Sequence, residues 1–296
     1  MNARPTSNAP TGSSPGRPFT VVHEPSGQLR DLPRFLGEWS ADVAASRTVA
    51  WRLFRRQLAQ QYRHSSLGIL WAFAPTALTA LVIAGAGRGD VSGPGGSVPG
   101  AFYAVFGVAL VQTFIESLGA TRRLFLEHHA LLRRQGSPLD GLVAAGLLSA
   151  GFNVLVRFVV IAAAFALFRV APEPATVAAA VVGFLGVALL GAGLGLLVAP
   201  ANALKRDLDH AFMLLPWVLF AVTPVFVPPD PGSVFGWICA VNPLSWIFDG
   251  IRAAAYGGAG HPSFALAGAA LGVAATLAGW LACRVARPHL LERMLG

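Results

Sequence analysis

Long apolar runs separated by short polar segments dominate the 296-residue chain. A helix that crosses the hydrocarbon core of a bilayer needs about 20 apolar residues, and runs of that length recur along the sequence. The predicted spans are residues 67–87, 100–118, 139–168, 174–198, 210–227 and 264–283. The pattern therefore predicts an all-α integral membrane fold with six transmembrane helices, of which the fifth is kinked at Pro216 and Pro224.

The segment at residues 233–257 does not fit this pattern of clean spans. It is too apolar for a solvated loop, but Asn242, Pro243, Asp249 and Arg252 interrupt it. Short helices that enter a membrane part way are tolerated where protein buries them or where they line a cavity. We therefore predict a pair of re-entrant helices before the last span, with a seventh span as the alternative.

The distribution of basic residues predicts the orientation. Most of the 22 Lys and Arg residues lie before the first predicted span, after the second and the fourth, and after the last. Because short loops rich in Lys and Arg stay in the cytoplasm, both termini are predicted to be cytoplasmic. Residues 1–46 and 284–296 are then cytoplasmic tails, the first partly disordered because Pro, Ser, Asn and Gly are frequent at its start. The Gly/Pro-rich residues 88–99 become an external loop.

Composition agrees with a multi-pass membrane protein and excludes other classes. Hydrophobic residues make up 54% and charged residues 12% of the chain, with a mean hydropathy of +0.59, whereas about 25% of the residues of a soluble domain are charged. The net charge of +8 is dispersed among short clusters, which argues against a nucleic-acid partner. The predicted topology separates Cys239 from Cys283, and the adjacent His128 and His129 diverge by about 100° on a helix. We therefore expect neither a disulfide nor a metal site.

Residues 47–66 combine aromatic and basic residues at helical spacing. Within roughly an 80° arc of the helix lie Trp51, Phe54, Leu58 and Tyr62. The arginines on the adjacent flank are Arg52, Arg55, Arg56 and Arg63. This pattern predicts an amphipathic helix in the cytoplasmic interface, with its aromatic face in the acyl boundary and its arginines at the headgroups. A simple orientation signal is the alternative, but orientation requires charge and no helical spacing.

Three short motifs follow one another along this frame. The first comprises Tyr62, Arg63, Leu67, Gly68, Trp71 and Pro75, the second Arg206 and Asp207, and the third Asn242 and Pro243 followed by Arg252. From about residue 53 to residue 284, the chain resembles the membrane subunit of ABC-2 type exporters of polysaccharides, the family of O-antigen, capsule and teichoic acid permeases.

The resemblance implies a homodimer of this chain that binds two copies of a separate ABC ATPase. Such a complex would export a lipid-pyrophosphate-linked glycan across the cell inner (plasma) membrane. ATP and Mg²⁺ would bind to the partner ATPase and no cofactor to this chain, which would be a transport subunit and not an enzyme. The residues agree independently, because the Gly-rich segment 93–100 lacks the Gly-Lys-Ser/Thr ending of a phosphate-binding loop.

The sequence leaves two other functions open. An ABC-2 permease for a drug or a lipid would share the architecture. A polytopic membrane enzyme that acts on lipid-linked sugars would need acidic or His residues that converge at one membrane depth. Glu116 and Arg157 are essentially the ionisable residues within the predicted spans, which is too few for such a site. We expect Arg157 to pair with Glu116 or Asp249, with a contact to a cargo phosphate as the alternative.

Candidate functional residues at the two membrane surfaces follow from the resemblance. The predicted contacts with the ATPase are Arg122, Arg123, Glu127, Arg133, Arg134, Arg206 and Asp207. A solvated basic loop is the alternative for the arginine-rich part of this set. The predicted outer gate consists of Asn242, Pro243, Asp249 and Arg252. Within it, Asp249 and Arg252 have the i, i+3 spacing of an ion pair on a helix.

Aromatic residues on the spans are candidates for a glycan pathway, because sugars stack their C–H faces on rings. The set is Trp71, Phe73, Phe102, Tyr103, Phe106, Phe114, Trp217, Phe220 and Trp246. For each of them, packing between helices or contact with lipid is the alternative. The pathway is predicted only because the resemblance supplies the substrate.

Overall fold

The computed structural model describes residues 32–62, 89–93, 96–128, 139–205 and 207–295, together with residues 74, 77, 78 and 82. Side chains are described from residue 41 to residue 60 and, within the later ranges, as far as residue 286. Most of the predicted first span, residues 67–87, therefore lies outside the described residues.

The described elements are helices apart from one short hairpin. In chain order they are α1 (Leu32–Tyr62), β1 (Asp90–Gly93), β2 (Gly96–Pro99), α2 (Gly100–Arg122), α3 (Leu124–Glu127), α4 (Leu139–Phe168), α5 (Val177–Leu204), α6 (Asp207–Val222), α7 (Val234–Val241), α8 (Pro243–Tyr256) and α9 (Ser263–Leu295). This arrangement agrees with the all-α prediction, and part of the predicted external loop forms the short antiparallel β1–β2 hairpin, in which Val91 pairs with Val98.

Four described helices have the length and apolarity to cross a membrane: α2, α4, α5 and the Ser263–Ala286 part of α9. The count becomes five if α7 and α8 are taken together as one bent span. These helices agree with an integral membrane protein. The bounds of α4 are those predicted, and α5 and α9 extend beyond their predicted ends, so that α9 includes most of the predicted C-terminal tail.

The predicted fifth span is shorter than expected. Helix α6 ends at Val222, before Pro224, and residues 223–227 continue without helical structure. Its 16 residues rise about 24 Å at ~1.5 Å per residue, which is less than the ~30 Å of a hydrocarbon core. Proline lacks an amide hydrogen and clashes with the preceding turn, so Pro224 prevents the helix from continuing to residue 227.

The predicted pair of short helices before the last span is present. Helices α7 and α8 meet at Asn242 with a bend of 88°. The Asn242 Oδ1 accepts a hydrogen bond of 3.0 Å from the Leu244 amide, and Pro243 occupies the first turn of α8. Asparagine is a strong helix N-cap and proline is favoured immediately after it. The Asn-Pro dipeptide therefore encodes the break, and the pair does not cross the membrane as one straight helix.

Helix α5 is the centre of the described fold, and it contacts α2 on one side and α9 on the other. A Cβ atom added to Gly186 would overlap the backbone of Ala269, and one added to Gly195 would overlap Thr121 on α2. The closeness allows hydroxyl groups to reach across, since the Thr276 hydroxyl donates to the Leu189 carbonyl at 2.8 Å. Small residues and such hydrogen bonds are the usual means of helix association in lipid.

This packing predicts opposite effects for two glycine substitutions. Gly186→Ala should lower the free energy of unfolding by about 1–3 kcal/mol, because the added methyl group must displace the α9 backbone. Gly151→Ala on the exposed side of α4 meets no neighbour and should be neutral or stabilising by up to about 1 kcal/mol, since alanine favours a helix over glycine. Unfolding of the purified protein in mixed micelles would measure both. Equal stability of the two variants would contradict the close approach of α5 and α9.

Candidate functional site

A buried polar cluster is centred on Arg252 of α8, which is 1% exposed. Its Nη1 donates to the hydroxyl of Tyr103 at 2.9 Å and to Oδ1 of Asp249 at 3.1 Å, and its Nη2 donates to the carbonyl of Val225 at 3.4 Å. The guanidinium also lies over the Tyr103 ring, 3.8 Å from its centroid. The predicted i, i+3 ion pair is confirmed. We call Tyr103, Asp249 and Arg252, with the carbonyls that they bind, the Arg252 cluster.

The segment that follows α6 is bound by this cluster and by Asn242. The Asn242 Nδ2 donates to the carbonyl of Val222 at 3.0 Å, and the Tyr103 hydroxyl donates to the carbonyl of Pro224 at 3.2 Å. The last turn of a helix leaves its carbonyls without partners. Here side chains from α2 and from the α7–α8 break satisfy them. The sequence indicated Asn242, Asp249 and Arg252 as site residues, but it did not predict that this group holds the backbone after α6.

A second buried arginine, Arg157 of α4, forms an ion pair with Glu116 of α2. Of the two predicted partners, the structure selects Glu116, because Asp249 is bound to Arg252. The Glu116 side chain remains 35% exposed, whereas that of Arg157 is 2% exposed. A charge within the hydrocarbon region is costly unless it is paired, so this pair explains how α4 carries an arginine.

A third cluster joins the end of α2 to the start of α6. The Arg122 guanidinium forms an ion pair with Asp209, donates to Oδ1 of Asn202 at 3.4 Å, and lies over the Phe212 ring, 4.5 Å from its centroid. The Nε of Arg123 reaches the same Asp209 carboxylate at 3.2 Å. Desolvation raises the pKa of Asp209, but the hydrogen bond and charge of Arg122 outweigh it and leave that pKa below its ordinary value. Asp209 is therefore ionised at neutral pH. We call this set the Arg122 cluster.

Helix α1 begins at Leu32, well before its predicted start, and its aromatic residues do not share one environment. Phe54 is buried against Phe152 of α4 with ring centroids 6.4 Å apart, whereas Trp51 is 52% exposed. The Oε1 of Gln57 accepts a hydrogen bond of 3.0 Å from Ser149. The Trp51 and Phe54 rings remain neighbours, with centroids 5.5 Å apart, while α4 covers Phe54 and leaves Trp51 exposed. Leu58 is half-buried, and the Tyr62 side chain and Arg63 lie outside the described residues.

The Asp140 carboxylate, which the sequence patterns did not indicate, joins α4 to α9 and, through Arg284, to α1. Asp140, at the start of α4, accepts hydrogen bonds from the Trp280 Nε1 at 2.7 Å and from the Arg284 Nη2 at 2.9 Å. Arg284 also forms an ion pair of 2.5 Å with Asp42 of α1. The i, i+4 spacing of Trp280 and Arg284 on α9 was the signal that could have revealed one shared face.

The described members of the predicted glycan pathway form two groups. The members buried among helices are Phe102, Tyr103, Phe106 and Phe114. Phe102, for example, packs edge to face on Phe165 and Tyr256. Trp217 and Trp246 are exposed, and Phe220 is half-buried and stacks on Phe226. The buried group has the environment of helix packing, whereas Trp71 and Phe73 lie outside the described residues.

The comparison with known proteins identifies the family. The sequence profile of the family described as ABC-2 type transporter matches residues 48–256, more than half of the chain. The chain belongs to the ABC-2 type transporter family. No curated protein matches it. An ABC-2 permease is an integral membrane transport protein and not itself an enzyme, and membership implies association with an ABC ATPase.

Within this ABC-2 permease, the residues predicted to contact the ATPase differ in accessibility. Arg122 is 5% exposed and bound inside the fold, so it does not belong to a docking surface as it stands. Arg123, Glu127 and Asp207 retain exposed surface. Arg133, Arg134 and Arg206 lie outside the described residues. The sequence shows how many arginines follow α2, but it does not show which of them the neighbouring helices bury.

The Glu116–Arg157 pair of the permease gives a testable coupling. Glu116→Leu leaves Arg157 buried without its carboxylate and should lower the free energy of unfolding by about 3–5 kcal/mol. Adding Arg157→Met to that variant should recover most of the loss, because the buried charge is then gone. Unfolding of the two single variants and the double variant in mixed micelles measures this coupling as a double-mutant cycle. Additive losses would show that the two side chains do not depend on each other.

Proposed function

We propose that this chain is the permease subunit of an ATP-driven transporter that exports a lipid-linked polysaccharide across the cytoplasmic membrane. In this proposal two copies of the chain form the pathway, and two copies of an ABC ATPase bind ATP and Mg²⁺ below it. The observation that carries the cargo assignment is α1, a basic helix docked on the permease body that leads into the Tyr62 and Arg63 motif. Membership of the ABC-2 family supports transport but leaves the cargo open.

The exposed side of α1 has the chemistry that an anionic lipid head requires. Its exposed residues include Arg47, Arg52, Arg55, Arg56 and Trp51. Arginine binds phosphate oxygens through two parallel hydrogen bonds, and tryptophan favours the boundary between headgroups and acyl chains. A pyrophosphate head with an attached lipid presents both features at once. Because Phe54 and Gln57 pack another side of α1 on α4, a cargo bound at the exposed side lies next to the permease body.

The remaining parts of the proposal follow from position. Helix α3 directly continues α2, with Arg123 just before it and Glu127 as its last residue, and both side chains are exposed, which supports docking of the ATPase at this end. The α7–α8 pair lies at the opposite end of α2, where the Arg252 cluster contacts Tyr103. In the proposed cycle, this pair and its residues Asn242, Pro243, Asp249 and Arg252 gate the outer exit. Alternation between closed and open states would be powered by ATP hydrolysis on the partner.

The cargo assignment predicts which compound stimulates ATP hydrolysis. In nanodiscs that contain this chain with its partner ATPase, a lipid-pyrophosphate-linked glycan should raise ATP turnover several-fold. The matched controls are the same glycan without its lipid and the lipid pyrophosphate without its glycan. Stimulation by ordinary phospholipids or by amphipathic drugs, with no response to the linked glycan, would assign another cargo.

The role proposed for α1 predicts that Trp51→Ala reduces export several-fold while the protein level in the membrane stays unchanged. Trp51 is exposed and contributes little to the core, so its loss removes the interfacial contact and leaves the fold intact. Val49→Ala on the same helix is the matched control, because Val49 is also exposed but lacks a ring. Surface glycan measured on intact cells reports export. Native glycan levels in the Trp51 variant would remove Trp51 from the cargo entry site.

A further inference from the structure

Helix α6 is held by apolar packing along one side and by polar contacts at its two ends. Within Asp207–Val222, all of which the structure describes, Leu219 is the one buried residue. The exposed large side chains on the same helix are Met213, Leu214, Trp217 and Val218, with Trp217 76% exposed. Phe212, Leu215, Leu219 and Phe220 pack on the apolar core, whereas the other side of α6 is exposed, so the polar contacts at its ends add to a one-sided packing.

The first end is held by the Arg122 cluster. Asp209, in the first turn of α6, binds both Arg122 and Arg123, and Phe212 one turn later lies under the Arg122 guanidinium. The Arg122 side chain is buried and that of Asp209 is 29% exposed, so water weakens this ion pair less than it weakens a surface pair. Arg122 is the last residue of α2, and α3 begins two residues later at Leu124.

The other end is held by the Arg252 cluster. Carbonyls of Val222, Pro224 and Val225, at and just after the last turn of α6, accept hydrogen bonds from Asn242, Tyr103 and Arg252 respectively. Val225 is completely buried. The same Arg252 binds Tyr103, which lies in the first turn of α2. Helix α2 therefore contributes to both ends of α6, through Tyr103 at one and Arg122 at the other.

We propose that α6 is a strut that transmits motion between the α2–α3 junction and the α7–α8 pair, with Arg122, Asp209 and Arg252 as its positioning residues. This inference rests on the ATP-driven transport proposed above and adds the route by which the ATPase side acts on the exit. A displacement of α3 moves Arg122, and the ion pair transfers it to Asp209. As one continuous helix, α6 moves as one body, and its far end carries Asn242 and Arg252 with it.

The hydrogen-bond inventory of the arginines agrees with a second arrangement of these clusters. In each of Arg122 and Arg252, the buried Nε has no hydrogen-bond partner within the described part of the chain. A buried donor of this kind is costly. Within the described residues each cluster therefore keeps an unsatisfied donor, which the proposal assigns to a second arrangement, and two discrete arrangements are what a switching element requires.

Distances measured on the full chain with its ATPase test the strut directly. One spin-label pair joins Met213→Cys on the first half of α6 to Leu204→Cys on α5, and a second joins Val218→Cys to Val181→Cys. All four positions are exposed, whereas the native Cys239 and Cys283 are buried and react poorly. We expect both distances to shift together when a non-hydrolysable ATP analogue binds. A shift in one of the two distances without a shift in the other overturns the proposal.

Substitutions at Asp209 separate positioning from stability. Asp209→Ala removes the contacts with both arginines, and we expect it to abolish both distance shifts and to lower the cargo exported per ATP on the order of tenfold. Asp209→Glu keeps the carboxylate and should restore both readouts. Preserved shifts in Asp209→Ala overturn the proposal. If Asp209→Ala fails to fold, the distances in the otherwise native chain still decide the question.

The same measurements distinguish this inference from the cargo assignment. If the linked glycan neither stimulates ATP hydrolysis nor is exported, while both α6 distances shift together, the cargo assignment fails and the strut stands. If the glycan is exported but the two distances do not shift together, the strut fails and the cargo assignment stands.

Discussion

The contact of α5 with α2 and α9 at backbone distance is the constraint on which the rest of the structure depends. In lipid there is little hydrophobic gain from bringing two apolar helices together, so association relies on close van der Waals contact and on hydrogen bonds. The glycines of α5 allow that approach, and the hydroxyl groups of Thr121 and Thr276 reach carbonyls of α5 across it. Once α2, α5 and α9 are fixed, the positions of Tyr103, Arg122 and Glu116 on α2 are fixed as well.

The buried arginines then determine where the less tightly packed elements lie. Removing a guanidinium from water is favourable only when a carboxylate or several oxygens replace the solvent. Arg157 joins α4 to Glu116 of α2. Arg122 joins the end of α2 to the start of α6, and Arg252 joins α8 to the chain after α6. Apolar packing specifies which helices form the body, whereas these polar contacts specify the position of α6 and of the α7–α8 pair.

How much of this was predictable depends on whether a feature is local. The bounds of α4 and the break at Asn242 and Pro243 follow from run length and from capping chemistry, and both were predicted. The end of α6 was misjudged because an apolar run does not reveal where Pro224 stops a helix. For α1, helical spacing predicted that Trp51 and Phe54 are neighbours, as their ring centroids 5.5 Å apart show, but it could not predict that α4 covers Phe54 and leaves Trp51 exposed. The sequence likewise indicated that Arg157 needs a partner, but it did not distinguish Glu116 from Asp249.

A transporter has a physical reason to position a helix through polar contacts at its ends. Apolar side chains in lipid exchange one neighbour for another at nearly equal energy, so a helix held by them alone can slide through many positions. An ion pair such as Arg122–Asp209, or a guanidinium bound to carbonyls, is favourable only in narrow geometries, because distance and angle both matter. A helix held by such contacts at both ends therefore has few permitted positions, separated by steps in which the contacts must break. In the proposed cycle, which alternates between closed and open states, that discreteness favours defined positions of α6 over a continuous range.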